Sequence, residues 1–380
     1  MRRSPGAPVD VDRDGQEPAR TVVAVVVTHD RAALLRRCLQ ALRAQRRAPD
    51  AVVVVDDASP GPDTAAAVAA SPGVRHLRHA ANRGGAAAYR TGIEAALAAG
   101  ADLVWLMDDD ARPAHAGCLE RLIALAEAGT GIAAPLVLDG DDPERLAFPI
   151  RLAGRTRFRV AELGAATRVE GFAHLFNGAL VRSEVFGAVG LPDPRFVGRG
   201  DEVEFMLRAL RAGVAVRIDT AARFLHPGSR PEIHPILFGA FYATVPLTEA
   251  KRRLQFRNRG HIFRAYGMWH YLAADVVRYG CHYLLRSRPD PLGFWRWLTA
   301  TAAGWGGGFM RASGPPRDYV LPAAPQSGEG DAGLRRDALP AREGNGPMTG
   351  PPMGTCQAGR AASGPPRHRA EDARAERADG

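Results

Sequence analysis

Apolar runs and polar breaks alternate along the first third of the chain. Residues 21–27 read Thr-Val-Val-Ala-Val-Val-Val, the composition of a strand buried on both faces. After a polar loop, Leu34, Leu35, Cys38, Leu39 and Leu42 recur at helical spacing, with Arg36, Arg37 and Arg43 off that stripe. Residues 51–55 form a second buried run, 62–70 an alanine-rich helix and 74–77 a short third strand. Asn82-Arg83-Gly84-Gly85-Ala86 is a tight loop opening a helix that runs through about residue 99, and residues 103–107 are a fourth strand. This alternation predicts an α/β fold whose parallel sheet is wound by right-handed crossovers.

Beyond residue 118, Leu119, Leu122, Ile123 and Ala126 mark a helix, and 130–170 reads as mixed strand and loop. An apolar segment at 172–181 carries Phe176-Asn177-Gly178. A short helix is expected over 183–189, a longer one from Asp201 to about Ala212, and a strand over 214–218. His226 lies just past a further short strand. From about 235 to 310 the pattern turns helical and aromatic, with arginines interleaved. That segment suits the core of a helical extension or an amphipathic surface that touches lipid. Four parts are expected: a disordered leader (1–19), an α/β catalytic domain (20–232), a helical extension (233–312) and a disordered tail (313–380). The tail is too rich in Gly, Pro, Ala and Arg to bury a core.

Composition narrows the picture. A chain of 380 residues with 46% hydrophobic and 24% charged positions is globular. Its net charge of +9 comes almost wholly from arginine, since Lys251 is the single lysine. Such charge favours phosphorylated substrates or an anionic membrane surface. Nucleic acid is not expected, because zinc-ligand spacing and aromatic RNA-binding signatures are both missing. Cys38, Cys118, Cys281 and Cys356 are scattered, which fits a reducing compartment. The first 20 residues lack an apolar signal core, and no run of about 18 apolar residues exists to span a bilayer. The expected location is cytoplasmic, with peripheral contact at the inner face of the plasma membrane.

The candidate chemistry centres on Leu103-Val-Trp-Leu-Met-Asp108-Asp109-Asp110. Three carboxylates follow a buried strand, at the sheet end where open α/β folds bind ligands. In an extended chain Asp108 and Asp110 point to the same side, and such a pair suits Mg²⁺ or Mn²⁺. Asp201 and Glu202 open a helix. Acidic residues there are favoured by the helix dipole alone, and both are candidates for a general base.

These pieces, in this order, resemble the family 2 inverting glycosyltransferases of GT-A fold. Thr28-His29-Asp30-Arg31 stands where that family often has Thr-Tyr-Asn-Arg. Val-Val-Val-Val-Asp-Asp-Ala-Ser at 52–59 resembles its second-strand ending, and Asn82 to Ala86 its Asn-x-Gly-Gly-Ala loop. The Met-Asp-Asp-Asp triplet, with Trp105 upstream, is most similar to the branch holding bacterial galactofuranosyltransferases and, nearby, rhamnosyltransferases.

The resemblance implies roles. Thr28 and Asp57 would hold the uracil of a UDP-sugar, with His29 in place of the usual aromatic. Asn82, Gly84 and Gly85 would lie beside the nucleotide. Asp108, Asp110 and His226 would ligate the metal, while Asp109 would contact the donor sugar. Glu202 would be the base and Asp201 would bind acceptor. Gly200 replaces the branch's usual Trp before the acidic pair. Glu204 is expected to be structural. His115, His174 and His234 are expected as surface or core residues, and Arg257-Asn258-Arg259 as acceptor-side or structural. The implied activity is metal-dependent transfer of galactofuranose from UDP-galactofuranose to a lipid-linked or cell-surface glycan, with Mn²⁺ or Mg²⁺ as cofactor and a polyprenyl-linked acceptor as one partner. The alternatives are a rhamnosyltransferase using dTDP-rhamnose, a sugar nucleotidyltransferase and a non-catalytic glycan-assembly scaffold. A nucleotidyltransferase would carry a glycine-rich phosphate loop after the first strand, and residues 28–35 hold no glycine.

Overall fold

The computed structural model describes residues 20–285 and 287–307. The leader at 1–19, the tail at 313–380 and residues 308–312 lie outside them. Strands β1 (Val22–Thr28), β2 (Ala51–Asp56), β3 (Val74–Arg78) and β4 (Leu103–Asp108) alternate with helices α1 (Ala32–Arg43), α2 (Asp63–Ala69) and α3 (Gly85–Ala98). The four strands are parallel in the order β3-β2-β1-β4. Every residue of β1 is buried, which is why its run is apolar without alternation. The register pairs Thr28 with Asp56 and Val27 with Asp108. The carboxyl ends of β1, β2 and β4 are therefore level, and the polar residues after each meet at one sheet edge. Helix α3 lies close on this sheet because Gly92 has no side chain: a Cβ there would collide with Val25 and approach Val55 Cγ2 to 3.1 Å.

The chain continues through β5 (Arg112–Pro113), α4 (Cys118–Glu127), β6 (Ile132–Asp139), β7 (Arg145–Leu152), β8 (Arg155–Arg159), β9 (Arg168–Glu170) and β10 (Asn177–Arg182). Then come α5 (Ser183–Val189), α6 (Asp201–Arg211) and β11 (Val216–His226). The stretch read as mixed strand and loop resolves into β6, the β7–β8 hairpin and β9. The sheet is mostly but not wholly parallel. β10 enters antiparallel between β4 and β6, whereas β6 and β11 are parallel. The expected separate strands before His226 are one strand, β11, whose register slips between Asp219 and Arg223. That slip lets one strand pair along β6 and still deliver its far end to the site.

Residues 233–244 correct the helical reading of this region. They form an antiparallel hairpin of β12 (Ile233–Ile236) and β13 (Phe241–Thr244). Leu237 and Phe238 make its turn with φ of 47° and 56°. Three helices follow, as expected: α7 (Glu249–Ala265), α8 (Trp269–Leu284) and α9 (Pro291–Trp305). Thr248 caps α7, and Asp290 caps α9 with Pro291 in its first turn. α7 and α9 touch backbone to backbone through Gly260 and Gly304. A Cβ on Gly304 would collide with the Arg257 carbonyl and come within 3.0 Å of the His261 nitrogen. Gly304→Val is expected to force the helices apart and cost about 1–3 kcal/mol, read as a lowered Tm in calorimetry.

Candidate active site

The level strand ends build the first wall. Asp57 follows β2 and is buried. Its carboxylate accepts from the backbone nitrogens of Arg83 (2.9 and 3.1 Å) and Gly84 (2.7 Å), and pairs with His79 Nδ1 at 2.7 Å. With both oxygens engaged, Asp57 holds the glycine loop against the sheet. Asn82 supports the same turn by accepting from the Gly84 nitrogen at 3.2 Å. Gly84 has φ of 85°, a conformation that costs little only for glycine. Gly85 then starts α3, which has no side-chain cap. The Gly85 position lies 4.0 Å, measured from an ideal Cβ, from Asp201 Oδ2 across the site. His29 is exposed, with Nδ1 at 2.8 Å from the Asp57 carbonyl oxygen, so that nitrogen carries the proton.

β4 ends at Asp108, and a turn closed by the Ala111 nitrogen on the Asp108 carbonyl at 3.1 Å divides the triplet. Asp109 turns inward: its buried carboxylate accepts from the Thr28 hydroxyl at 2.6 Å and pairs with Arg31 at 3.0 Å. Burial pushes Asp109 up to about 6, although Arg31 and Thr28 oppose the shift. Thr28 and Asp109 thus brace each other beneath the edge. Asp108 and Asp110 face outward. Asp108 accepts from Tyr89 Oη at 2.8 Å, and Tyr89 stacks on Phe176 at 3.7 Å between ring centres. Burial, then the charge of Asp110, holds the Asp108 carboxyl well above the usual range. Arg31 also binds Asp110 at 2.5 Å.

His226 reaches this pair through β5. Immediately after the triplet, β5 pairs antiparallel with β11, and Leu225 lies opposite Arg112. One residue further, His226 Nε2 stands 3.4 Å from Asp110 Oδ1. One ligand atom from each of Asp108, Asp110 and His226 lies within 4.8 Å of the others. His226 Nδ1 is 2.7 Å from the Pro227 carbonyl oxygen, so Nδ1 donates and Nε2 keeps its lone pair. That lone pair faces Asp110 Oδ1, which is buried with no hydrogen-bond partner. Two acceptors facing each other repel. The donor set therefore fits a divalent cation, which would bind both.

The opposite wall is the start of α6. Gly200, with φ of 98°, turns the chain into Asp201. The preceding loop is fixed by Asn258, fully buried, whose amide donates to the Val197 carbonyl (3.3 Å) and the Arg199 carbonyl (2.5 Å). Asn258 thus acts behind the acidic pair as a structural element. Asn258→Ala is expected to cost about 1–3 kcal/mol of stability and to slow turnover more than it weakens donor binding, separable by steady-state kinetics and calorimetry. Glu204 is engaged by Arg208 at 2.8 and 2.9 Å and by Tyr266 Oη at 2.7 Å, a packing role.

Glu202 faces the triplet side. Its carboxylate is 3.5 Å from His174 Nδ1 and 3.4 Å from the Phe176 backbone nitrogen. Phe148 contacts the rings of both His174 (4.2 Å) and His226 (4.9 Å), so one stack links Glu202 to the candidate metal ligands. His174, expected as an ordinary surface or core residue, sits in the site instead. Arg31, His79 and Tyr89 also belong to it. Arg31 closes the Thr28-His29-Asp30-Arg31 element, while Tyr89 is signalled only by its place one turn into the helix after the glycines and His79 only by its place just past β3. His115 and His234 sit apart, on the Ala221 carbonyl and the His282 ring.

Burial pushes Asp201 up to about 7, with the charge of Glu202 adding to the shift. The free carboxyl titrates near ~3.9, so the folded state binds the proton more tightly. Stability from this group is full below about pH 4 and is lost as pH rises through 7. Asp201→Asn is expected to raise Tm relative to the wild type at pH 8, with the gain vanishing near pH 4, in thermal melts across pH.

Residues 23–186 match the pattern of "Glycosyl transferase family 2", and the chain belongs to that family: it is a glycosyltransferase with a GT-A catalytic fold. It is 40% identical over 284 residues to galactofuranosyltransferase GlfT1 of Mycobacterium tuberculosis, covering 73% of this chain and 93% of that protein. It is 39% identical over 285 residues to GlfT1 of Mycolicibacterium smegmatis, covering 73% and 94%. Among solved structures, GalNAc-T7 with UDP, GalNAc and Mn²⁺ aligns with a TM-score of 0.46 at 15% identity, covering 66% of this chain and 48% of that one.

Proposed function

We propose that this protein is a metal-dependent inverting galactofuranosyltransferase that uses UDP-galactofuranose. The observation that carries the reading is the Asp108, Asp110 and His226 cluster facing the acidic start of α6, in a chain 40% identical to GlfT1 over nearly all of that protein's length. Asp108, Asp110 and His226 would hold the ion. One imidazole beside two carboxylates suits Mn²⁺ better than Mg²⁺, which prefers oxygen alone. Bound there, the ion supplies Lewis-acid stabilisation of the diphosphate leaving group.

The chain's own groups do the rest. Asp57, Asn82 and Gly84 shape the loop that receives the nucleotide, His29 offers a ring at the base end, and the uncapped start of α3 favours the diphosphate charge. Thr28 and Asp109 act from beneath, keeping the triplet in place. Glu202 takes the proton from the acceptor hydroxyl as its oxygen attacks the anomeric carbon on the face opposite the diphosphate. The new glycosidic C–O bond forms as the bond to UDP breaks, so the configuration inverts. Asp201, beside the glycine loop, positions acceptor and donor against each other.

We place the catalytic unit at residues 20–232 and the extension at 233–312. The enzyme works in the cytoplasm on a glycan carried by a polyprenyl lipid. The GlfT1 relatives favour galactofuranose over rhamnose. UDP or dTDP release from a panel of donors tests this. Mn²⁺-dependent UDP release from UDP-galactofuranose is expected, and release from dTDP-rhamnose alone would replace the donor assignment.

A further inference from the structure

Helix α8 buries charge and leaves apolar residues outside. Asp275, Arg278 and His282 are buried beside Tyr271, Tyr279 and Tyr283, while a second apolar stripe faces water. Asp275 helps to fix this orientation. It pairs with Arg278 on its own helix and with Arg259 of α7, and this ionic cluster, with the three tyrosines, fastens that face of α8 inward. Trp269, Ala273, Val276, Val277 and Leu284 are left on the outer face at helical spacing. Trp269 is 63% exposed and Val277 61%.

Helix α9 continues the surface. Trp269 at the start of α8 meets Trp305 at the end of α9, with ring centres 4.2 Å apart. Gly280 of α8 lies against Phe294 of α9. The two helices are thus antiparallel neighbours. Leu292, Trp295 and Leu298 of α9 are exposed, Trp295 at 60%, and Leu285 between the helices reaches 74%. Soluble surfaces seldom leave so many large apolar side chains in one place without a use.

The charge around the patch says what covers it. Arg288, in the turn between the helices, and Arg296, beside Trp295, are exposed. Arg296 is held only loosely, 3.7 Å from Glu249. From Trp269 to Gly307 the exposed carboxylate among the described residues is Asp290, and it is engaged in capping α9 at the Gly293 nitrogen. Exposed indoles with leucine and valine between them, rimmed by arginine, match the boundary between acyl chains and anionic headgroups. A second copy of the chain set face to face would bring the arginine rims together. Among the described residues no helix is long and apolar enough to cross a membrane, so this face would lie on the bilayer.

We propose that the outer face of α8 and α9 is a docking surface for an anionic phospholipid bilayer. Apolar burial and arginine–headgroup attraction act together, which reversible anchoring requires. The surface is separate from the catalytic site, and vesicle binding needs no sugar donor, so its failure leaves the transferase reading standing.

The test is sedimentation of the full chain with vesicles of phosphatidylcholine alone and with added phosphatidylglycerol. The wild type is expected to bind the anionic vesicles, and more weakly in high salt. Val277→Ser with Trp295→Ser is expected to weaken that binding about tenfold or more, with UDP release from soluble donor unchanged. Arg288→Ser with Arg296→Ser is expected to remove the preference for anionic lipid. Three results would overturn the proposal. One is no vesicle binding by the wild type. Another is equal binding by the Val277/Trp295 variant, which would place contact elsewhere. The last is a wild-type dimer in light scattering that this variant makes monomeric.

Discussion

Glu202→Gln is expected to lower the rate of sugar transfer by about 10²–10⁴-fold, the usual contribution of a positioned general base. The substitution keeps the side chain's shape and its contact with the Phe176 nitrogen while removing the carboxylate proposed to accept the acceptor's proton. Donor binding should be unchanged within about twofold, because the loss is confined to the transition state. The same assay on Asp201→Asn separates the two adjacent acids. Asp201 lies on the glycine-loop side, so its loss should raise KM for acceptor or donor as well as lowering kcat. Should Asp201→Asn abolish transfer while Glu202→Gln retains it, the base belongs to Asp201. Its elevated pKa of about 7 would then serve proton abstraction near neutral pH.

Asp110→Asn should be more damaging still. Asp110 touches His226 and Arg31, so replacing it removes a charge from the proposed ligand set and leaves Asp109 as the carboxylate paired with Arg31. Turnover is expected to fall by about 10³-fold or more with loss of the Lewis acid, and excess Mn²⁺ should restore little of it. His226→Ala should behave more mildly, because two carboxylates remain to hold the ion. Rescue of His226→Ala but not Asp110→Asn by raised Mn²⁺ would support the ranking, and identical behaviour of wild type and Asp110→Asn would remove the cluster from the mechanism.

How legible this was in the sequence depended on how local the determining interaction is. β1, β2 and β4 are continuous apolar runs because both sheet faces are covered, and that pattern is readable directly. The pairing of Asp108 with Asp110 is also expected from an extended chain, but the structure reaches it differently: β4 ends at Asp108, and a turn through Asp109 and Asp110 separates the inward from the outward carboxylates. His226 is different. It joins the site through a two-residue strand, β5, paired with β11, and nothing in the local pattern of residues 112–113 announces that pairing. Only the family resemblance pointed to it. His174 was missed for the same reason: its neighbour Glu202 is 28 residues away and its environment is set by Phe148 from another hairpin. The β12–β13 hairpin was read as helix because Phe238, Phe241 and Tyr242 fit an aromatic helical stripe, whereas Leu237 and Phe238 adopt left-handed turn conformations that no propensity for these residues suggests. Helix α8 shows the limit from the other side. Its aromatic, apolar composition suits either the core or a lipid-facing surface, and the choice of face depends on Asp275 finding Arg259 on another helix.

Asp57 refines the account of the nucleotide end. The resemblance assigns it to the base, and the structure engages both carboxylate oxygens with the loop amides and His79. Its effect on donor binding would then run largely through the shape of the loop.

Calorimetric titration of UDP into the purified protein, with Mn²⁺ and then with EDTA, tests the central claim most directly, run in parallel on Asp110→Asn. The account predicts UDP binding that Mn²⁺ strengthens at least about tenfold in the wild type and leaves unchanged in the variant. UDP binding of equal strength with and without the metal, or a variant that responds to Mn²⁺ as the wild type does, would contradict it.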